Sequence, residues 1–245
     1  MNVFAGTQSG RNAMRKILAG LAAALLLTLA IPALGADLAD EMPLPQSVLA
    51  PPPPHGSTVE RNEIAEILKA RANATPQALA LARHDNDTED ATIFTDAIGP
   101  GWDVYKLPQT LALLKLVGHV DRHASAKAKD YFHRDRPWIV DARVQTCAPH
   151  AAGPAANSYP SGHTLLGYEM GVVLASLMPN HAAAIMARAK QYGENRILCG
   201  FHFRSDVAAG TQYGTAVARA MLQDPAFHAQ FLQAQAELKG AGLAR

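Results

Sequence analysis

The sequence predicts an all-α fold, a single compact, bundle-like helical domain. Three observations carry this. Apolar residues recur at spacings of three and four, as in Ile64, Ile67, Leu68 and Ala72. No stretch shows the sustained two-residue alternation of a half-buried strand. Of the 245 residues, about 209 remain once the amino-terminal stretch is set aside, enough for one domain with a full core.

Taken in order, residues 1–36 read as a secretory signal. Arg15 and Lys16 precede an apolar run from Ile17 to Ile31, and Pro32-Ala33-Leu34-Gly35-Ala36 closes it. The run is shorter than the roughly 20 apolar residues a membrane helix needs; an uncleaved single anchor is the alternative. Cleavage is expected after Gly35 or Ala36, and Met14 is an alternative start. Residues 37–57 are Pro-rich, with four consecutive prolines at 51–54, and are expected to lie extended across the surface. The helical domain then occupies residues 58–245.

Within it, one helix is expected from Thr58 to about Ala82, then a polar break over residues 84–90. Residues 91–101 are ambiguous, with Pro100-Gly101 as a turn. One or two helices follow from Leu107 to about His133, stopped near Arg136 by Pro137. Residues 138–160 form a long connection. Ser161 caps a helix to about Met178, Pro179-Asn180 breaks the chain, and another helix runs to about Tyr192. Further helices span Ser205 to Leu222 and, opened by Asp224-Pro225, a final stretch to about Leu238. After residue 36 no apolar run reaches membrane-spanning length, since Glu169 interrupts the best candidate.

The chain carries 22 basic and 21 acidic residues, and loss of Arg11, Arg15 and Lys16 with the signal leaves 19 and 21. That balance argues against a nucleic-acid polymer or an anionic membrane as the main partner, so any positive site must be local. Two cysteines remain, Cys147 and Cys199, neither with a neighbour at metal-ligand spacing. Export makes a disulfide between them the expected state, with two buried thiols as the alternative. Such a bond closes 52 residues, worth about 4 kcal/mol by loop entropy.

Three clusters carry chemistry. In the first, Lys129, His133 and Arg136 are spaced four and three apart, which on a helix puts three potentially cationic groups on one stripe. Such a stripe repels itself unless an anion sits there; a solvated basic face is the plainer reading. In the second, Tyr159-Pro160-Ser161-Gly162-His163-Thr164 opens a helix whose free N–H groups favour an anion, with Gly162 allowing close approach. Ordinary capping is the alternative. In the third, His202 and Asp206 are four apart, so a carboxylate can fix one imidazole nitrogen and leave the other free to attack. A purely structural His–Asp bond is the alternative.

The combined pattern, Lys129-x6-Arg136-Pro137, then Pro160-Ser161-Gly162-His163, then Arg196-x5-His202-x3-Asp206, resembles the three-part signature of the phosphatidic acid phosphatase type 2 and haloperoxidase superfamily. Within it, residues 42–240 look most like the secreted bacterial class A non-specific acid phosphatases. The resemblance implies an all-helical fold and hydrolysis of a broad range of phosphomonoesters through a covalent phosphohistidine. It implies His202 as nucleophile, Asp206 as its orienting partner and His163 as general acid. Lys129, Arg136, Ser161, Gly162 and Arg196 would hold the phosphate. It further implies no cofactor, no metal, a periplasmic location without stable membrane association, small phosphomonoesters as partners, and often a homodimer. Lipid phosphatases and vanadium haloperoxidases share the signature, and a non-enzymatic phosphate binder would use the cations alone. One departure stands out: Asn195 occupies the position before the last arginine, where the family usually has Ser.

Overall fold

A computed structural model describes residues 38–150 and 157–245, so the expected signal over residues 1–36 lies outside the described residues. Every regular element among the described residues is helical. The longer helices are α1 (Thr58–Ala72), α2 (Pro76–Asp87), α3 (Pro108–Phe132), α4 (Gly162–Leu177), α5 (Ala182–Leu198), α6 (Arg204–Gln223) and α7 (Pro225–Gly240).

The stretch expected as one helix to Ala82 is two. Ser57 caps α1, and Thr75 caps α2 with Pro76 at its first position, so residues 73–75 turn the chain. Proline is pre-set for a helix start and cannot continue one, and Thr75-Pro76 is the signal for that boundary. The expected polar break is wrong in the other direction, because α2 runs on through His84, Asp85, Asn86 and Asp87. Asp85 is fully buried and receives the Arg188 guanidinium, so a tertiary ion pair holds the polar turn helical. Residues 91–101, left open by sequence, hold a 3₁₀ turn (Ala91–Phe94) and a single helical turn (Thr95–Ile98).

Helix α4 is the centre of the molecule. It packs against α3, α5 and α6, and it is apolar on nearly all sides, as a core helix should be. Leu165 and Leu174 are fully buried there, and replacing either by Ala is worth about 2–5 kcal/mol of lost stability. Gly210 and Gly214 let α6 lie directly on α4. A Cβ at Gly214 would come within 2.5 Å of the Leu165 carbonyl oxygen, and one at Gly210 within 2.7 Å of that of Ser161. This close crossing brings the start of α4 beside the start of α6, where Ser161 N–H donates to the Asp206 carbonyl at 3.0 Å.

The Pro-rich stretch is more than a surface strap. Leu38, Met42 and Leu49 are buried in the main core, and Pro45–Val48 makes one helical turn. Cys147 and Cys199 form a disulfide with Cα atoms 4.6 Å apart. It ties the long connection to the loop before α6, next to Gly200, whose positive φ suits glycine.

Candidate active site

The cavity of about 430 Å³ at the junction of α3, α4 and the α5–α6 loop is lined by Lys129, Arg136, Gly162, His163, Arg196 and His202. Three sequence clusters thus converge, although the expected stripe of Lys129, His133 and Arg136 does not exist. Helix α3 ends at Phe132, and His133 takes a left-handed conformation that terminates it. His133 is exposed, while the chain turns so that Arg136 re-enters the cavity from a short turn, Pro137–Val140.

His202 is almost fully buried and sits just before α6. The reach to Asp206 therefore spans a loop-to-helix junction, not one helical turn as the spacing suggested. Its Nδ1 lies 3.3 Å from Asp206 Oδ2, and its Nε2 lies 2.7 Å from Arg136 Nη1. A guanidinium only donates, so Nε2 accepts and the ring proton is on Nδ1, facing the carboxylate. Burial first, then Arg136, Arg196 and Lys129, hold the His202 pKa well below its usual value.

Asp206 is fully buried and densely bonded. Oδ1 accepts from Arg134 Nη1 at 2.6 Å, and Oδ2 accepts from the Ser158 hydroxyl at 2.6 Å and Phe203 N–H at 2.9 Å. Burial raises its pKa to about 6, and Arg134, Ser158 and Phe203 oppose that rise. Arg134 is itself buried beneath the site. It also donates to Glu63 Oε2 at 3.0 Å and lies 3.8 Å over the Phe203 ring. Glu63, from α1, accepts in addition from Ser205 N–H at 2.7 Å. Sequence reading missed Arg134, Glu63 and Ser158; the signal available was a second arginine inside the Lys129–Arg136 cluster.

The cations are unusual in lacking counterions. Among the described residues Lys129, Arg136 and Arg196 make no ion pair. Burial, with Arg136 next, lowers Lys129 to about 8, and burial lowers Arg136 and Arg196 to about 10. Arg196 donates to Asn86 Oδ1 at 2.9 Å and lies over the Phe201 ring. Gly162 is wedged against the clamp, since a Cβ there would meet Lys129 Nζ at 3.2 Å and Ser125 Oγ at 3.1 Å. Ser161 caps α4 and is fully buried; its hydroxyl accepts from Thr164 N–H at 3.4 Å and the Thr164 hydroxyl at 2.9 Å. It lies under the cavity lining, not in it.

His163 Nε2 lies between two acceptors, the Asn86 carbonyl at 3.1 Å and Glu89 Oε1 at 3.2 Å. Burial, then Arg196, lowers its pKa to about 3 in this arrangement. Asn195 faces away from the cavity. Its Nδ2 donates to Asp85 Oδ2 at 2.7 Å, on the carboxylate that also holds Arg188. The departure from the family's usual Ser thus serves the wall that carries Arg196 and touches nothing in the cavity.

The PAP2 superfamily profile matches residues 106–229. The chain belongs to the PAP2 superfamily. Six of the residues that carried the sequence resemblance, Lys129, Arg136, Gly162, His163, Arg196 and His202, line the cavity. The chain is 32% identical over 201 residues to an acid phosphatase of Zymomonas mobilis, covering 80% of this chain and 76% of the relative. It is 32% identical over 200 residues to a non-specific acid phosphatase of Salmonella typhimurium, covering 79% of each. The PAP2 fold is shared with a transmembrane PAP2-type phosphatidylglycerolphosphate phosphatase from Bacillus subtilis. That structure superposes with a TM-score of 0.50 at 19% identity, covering 78% of this chain and 92% of the other. No helix among the described residues is long and apolar enough to cross a membrane.

Proposed function

We propose that this protein is an acid phosphatase that hydrolyses phosphomonoesters through a phosphohistidine at His202. The observation that carries the reading is three cations without counterions, Arg196 buried and Lys129 and Arg136 half-buried, arranged around an imidazole whose Nε2 lone pair faces the same cavity. Burying unpaired positive charge is costly, and a phosphate with its oxygens between Lys129, Arg136 and Arg196 relieves it. The Gly162 N–H, at the first turn of α4, adds a donor.

The steps follow from the groups present. Phosphate oxygens draw the Arg136 guanidinium off Nε2, freeing the lone pair. Nε2 attacks phosphorus, the ester P–O bond breaks, and His163 passes a proton to the leaving oxygen. Asp206 takes the Nδ1–H hydrogen bond and stabilises the positive ring. Water, deprotonated by His163, then attacks phosphorus, and the N–P bond breaks to release inorganic phosphate and neutral His202. The three cations and the α4 amide meet the charge spread over the transferring group, so the residues supply the neutralisation that a metal pair supplies elsewhere.

The same electrostatics favour acid. His202 is held far below its usual pKa and stays a neutral nucleophile in acid, where other histidines are protonated. His163 is depressed partly by Arg196, Lys129 and Arg136. An incoming anion offsets those charges, so His163 gains its proton as the complex forms. The amino-terminal pattern supports export to the periplasm. Steady turnover of para-nitrophenyl phosphate after exhaustive EDTA treatment, with an optimum at roughly pH 5–6.5, is the expected result. Stoichiometric phosphate binding without turnover would reduce the protein to a binder, and activity lost to EDTA and restored by a divalent metal would overturn the mechanism.

A further inference from the structure

The end of the cavity away from the clamp carries carboxyl groups, Asp121 and Glu89, with Arg122 beside them. Gly118, Asp121, Ser125 and Lys129 follow one face of α3, which runs antiparallel to α4: Gly118 meets Met170, while Ser125 and Lys129 meet Gly162. Eight residues of helix separate Asp121 from Lys129, about 12 Å along the axis, and the lysine side chain leans back towards Asp121. Both line the same cavity, yet they form no ion pair.

Asp121 is only 8% exposed, and its Oδ1 has no hydrogen-bond partner among the described residues. Glu169, fully buried on α4, has none at either oxygen. Glu89 adds a third carboxyl at the exposed rim. Three buried carboxyl oxygens without donors are what a folded core excludes unless they hold protons or meet a cation. Burial does raise both acids, Asp121 to about 8 and Glu169 well above its usual range, with the Asp121 charge adding to the latter. The charged and titratable groups facing the pair are Arg122 and Lys129 on α3, Glu89 before the 3₁₀ turn, Tyr192 on α5 and Tyr213 on α6. Of these, Arg122 is exposed and makes no ion pair among the described residues, so it can turn to solvent.

We propose that Asp121, backed by Glu169, recognises a protonated amine on the leaving alcohol, so that phosphomonoesters of short amino alcohols are preferred substrates. The inference rests on the phosphatase reading above. Phosphate and ammonium, two or three carbons apart, then lie at opposite poles of one cavity, each against its counter-charge. As the ammonium docks, its N–H donates to Asp121 Oδ2, the carboxyl oxygen left open to the cavity, while the covered Oδ1 stays on the Glu169 side. Asp121 gives up its proton to solvent through the open cavity, and Glu169 keeps its own. Only one buried negative charge forms, and it forms against a positive partner.

The test compares 2-aminoethyl phosphate with n-propyl phosphate, which differ by NH₃⁺ for CH₃, at a pH where both phosphates are dianions. The purified protein should show kcat/KM about tenfold higher for the aminoethyl ester, the scale of one charge-assisted hydrogen bond. Asp121→Asn should bring that ratio close to one, and because both rates come from one sample, partial misfolding cancels. A ratio near one in the unsubstituted protein overturns the proposal, as does an Asp121→Asn protein that keeps the preference. Equal hydrolysis of both esters would sink this inference alone, whereas no turnover of these esters or of para-nitrophenyl phosphate would remove the phosphatase reading with it.

Discussion

Asp206 and Glu169 are both fully buried carboxyl groups, one behind the cavity residue His202 and the other coupled to the cavity residue Asp121, and they are treated in opposite ways. Asp206 receives Arg134, the Ser158 hydroxyl, the Phe203 N–H and His202. Glu169 receives nothing at either oxygen among the described residues. The first is fixed in orientation by its donors, so the ring it touches is fixed too. The second is adjustable: it answers to protonation and to the charge on Asp121. A buried acid with all its partners positions a nucleophile, and one without them marks a place left for something else.

The largest effect should come from disturbing the satisfied end at its centre. Asp206→Asn keeps the shape but replaces an all-acceptor group with one that carries its own donors, against four donors already aimed at it. We expect kcat to fall by about a hundredfold or more with little change in KM, because the tautomer of His202 is no longer enforced. Steady-state kinetics on para-nitrophenyl phosphate checks this, and an unchanged kcat would show Asp206 to be merely structural.

One layer out, Arg134→Met leaves Glu63 and Asp206 buried without their shared cation. Breaking a buried pair in this way costs about 3 kcal/mol or more. Denaturant unfolding should show that loss, and kcat should drop by about tenfold as Asp206 loosens. A variant destabilised to this extent but with unaltered kcat and pH profile would confine Arg134 to stability.

The unsatisfied end should respond with the opposite sign. Because burial raises Glu169 in the folded state, its contribution is intact below the unfolded carboxyl pKa and is lost as pH rises towards the folded one. Glu169→Gln removes that titration. Its Tm should therefore exceed that of the unsubstituted protein by more at pH 8 than at pH 5, at about 2–4 °C for each kcal/mol recovered. A difference independent of pH would mean that Glu169 does not titrate in this range.

The same contrast explains what could be read from the chain. Lys129, Arg136, Gly162, His163, Arg196, His202 and Asp206 were legible as a set through the resemblance to the family signature; spacing alone put Lys129 and Arg136 on a stripe with His133 that the fold does not make. The helical starts at Ser161 and Asp224 were legible from capping residues. Glu63 was not: on a helix that also carries Glu60 and Glu66, it reads as one more solvated acid, and only the fold brings it under Arg134, 71 residues away. The helix boundary at Thr75-Pro76 was available and overlooked, whereas the helical course of residues 84–87 depends on Arg188, 103 residues from Asp85. Glu169 did leave a trace, as the lone charge interrupting an apolar helix, but nothing in sequence tied it to Asp121.

The measurement that bears most directly on the mechanism is capture of the phosphoenzyme. His163→Ala removes the group that activates water while leaving His202 Nε2 and the three cations, so with para-nitrophenyl phosphate, whose leaving group needs little protonation, the intermediate should accumulate. Denaturation at neutral or alkaline pH followed by peptide mass spectrometry is expected to find phosphate on His202, and none in the His163→Ala/His202→Ala double variant. Phosphate on another residue, or an unmodified His202 in a protein that still turns over substrate, would contradict the assignment.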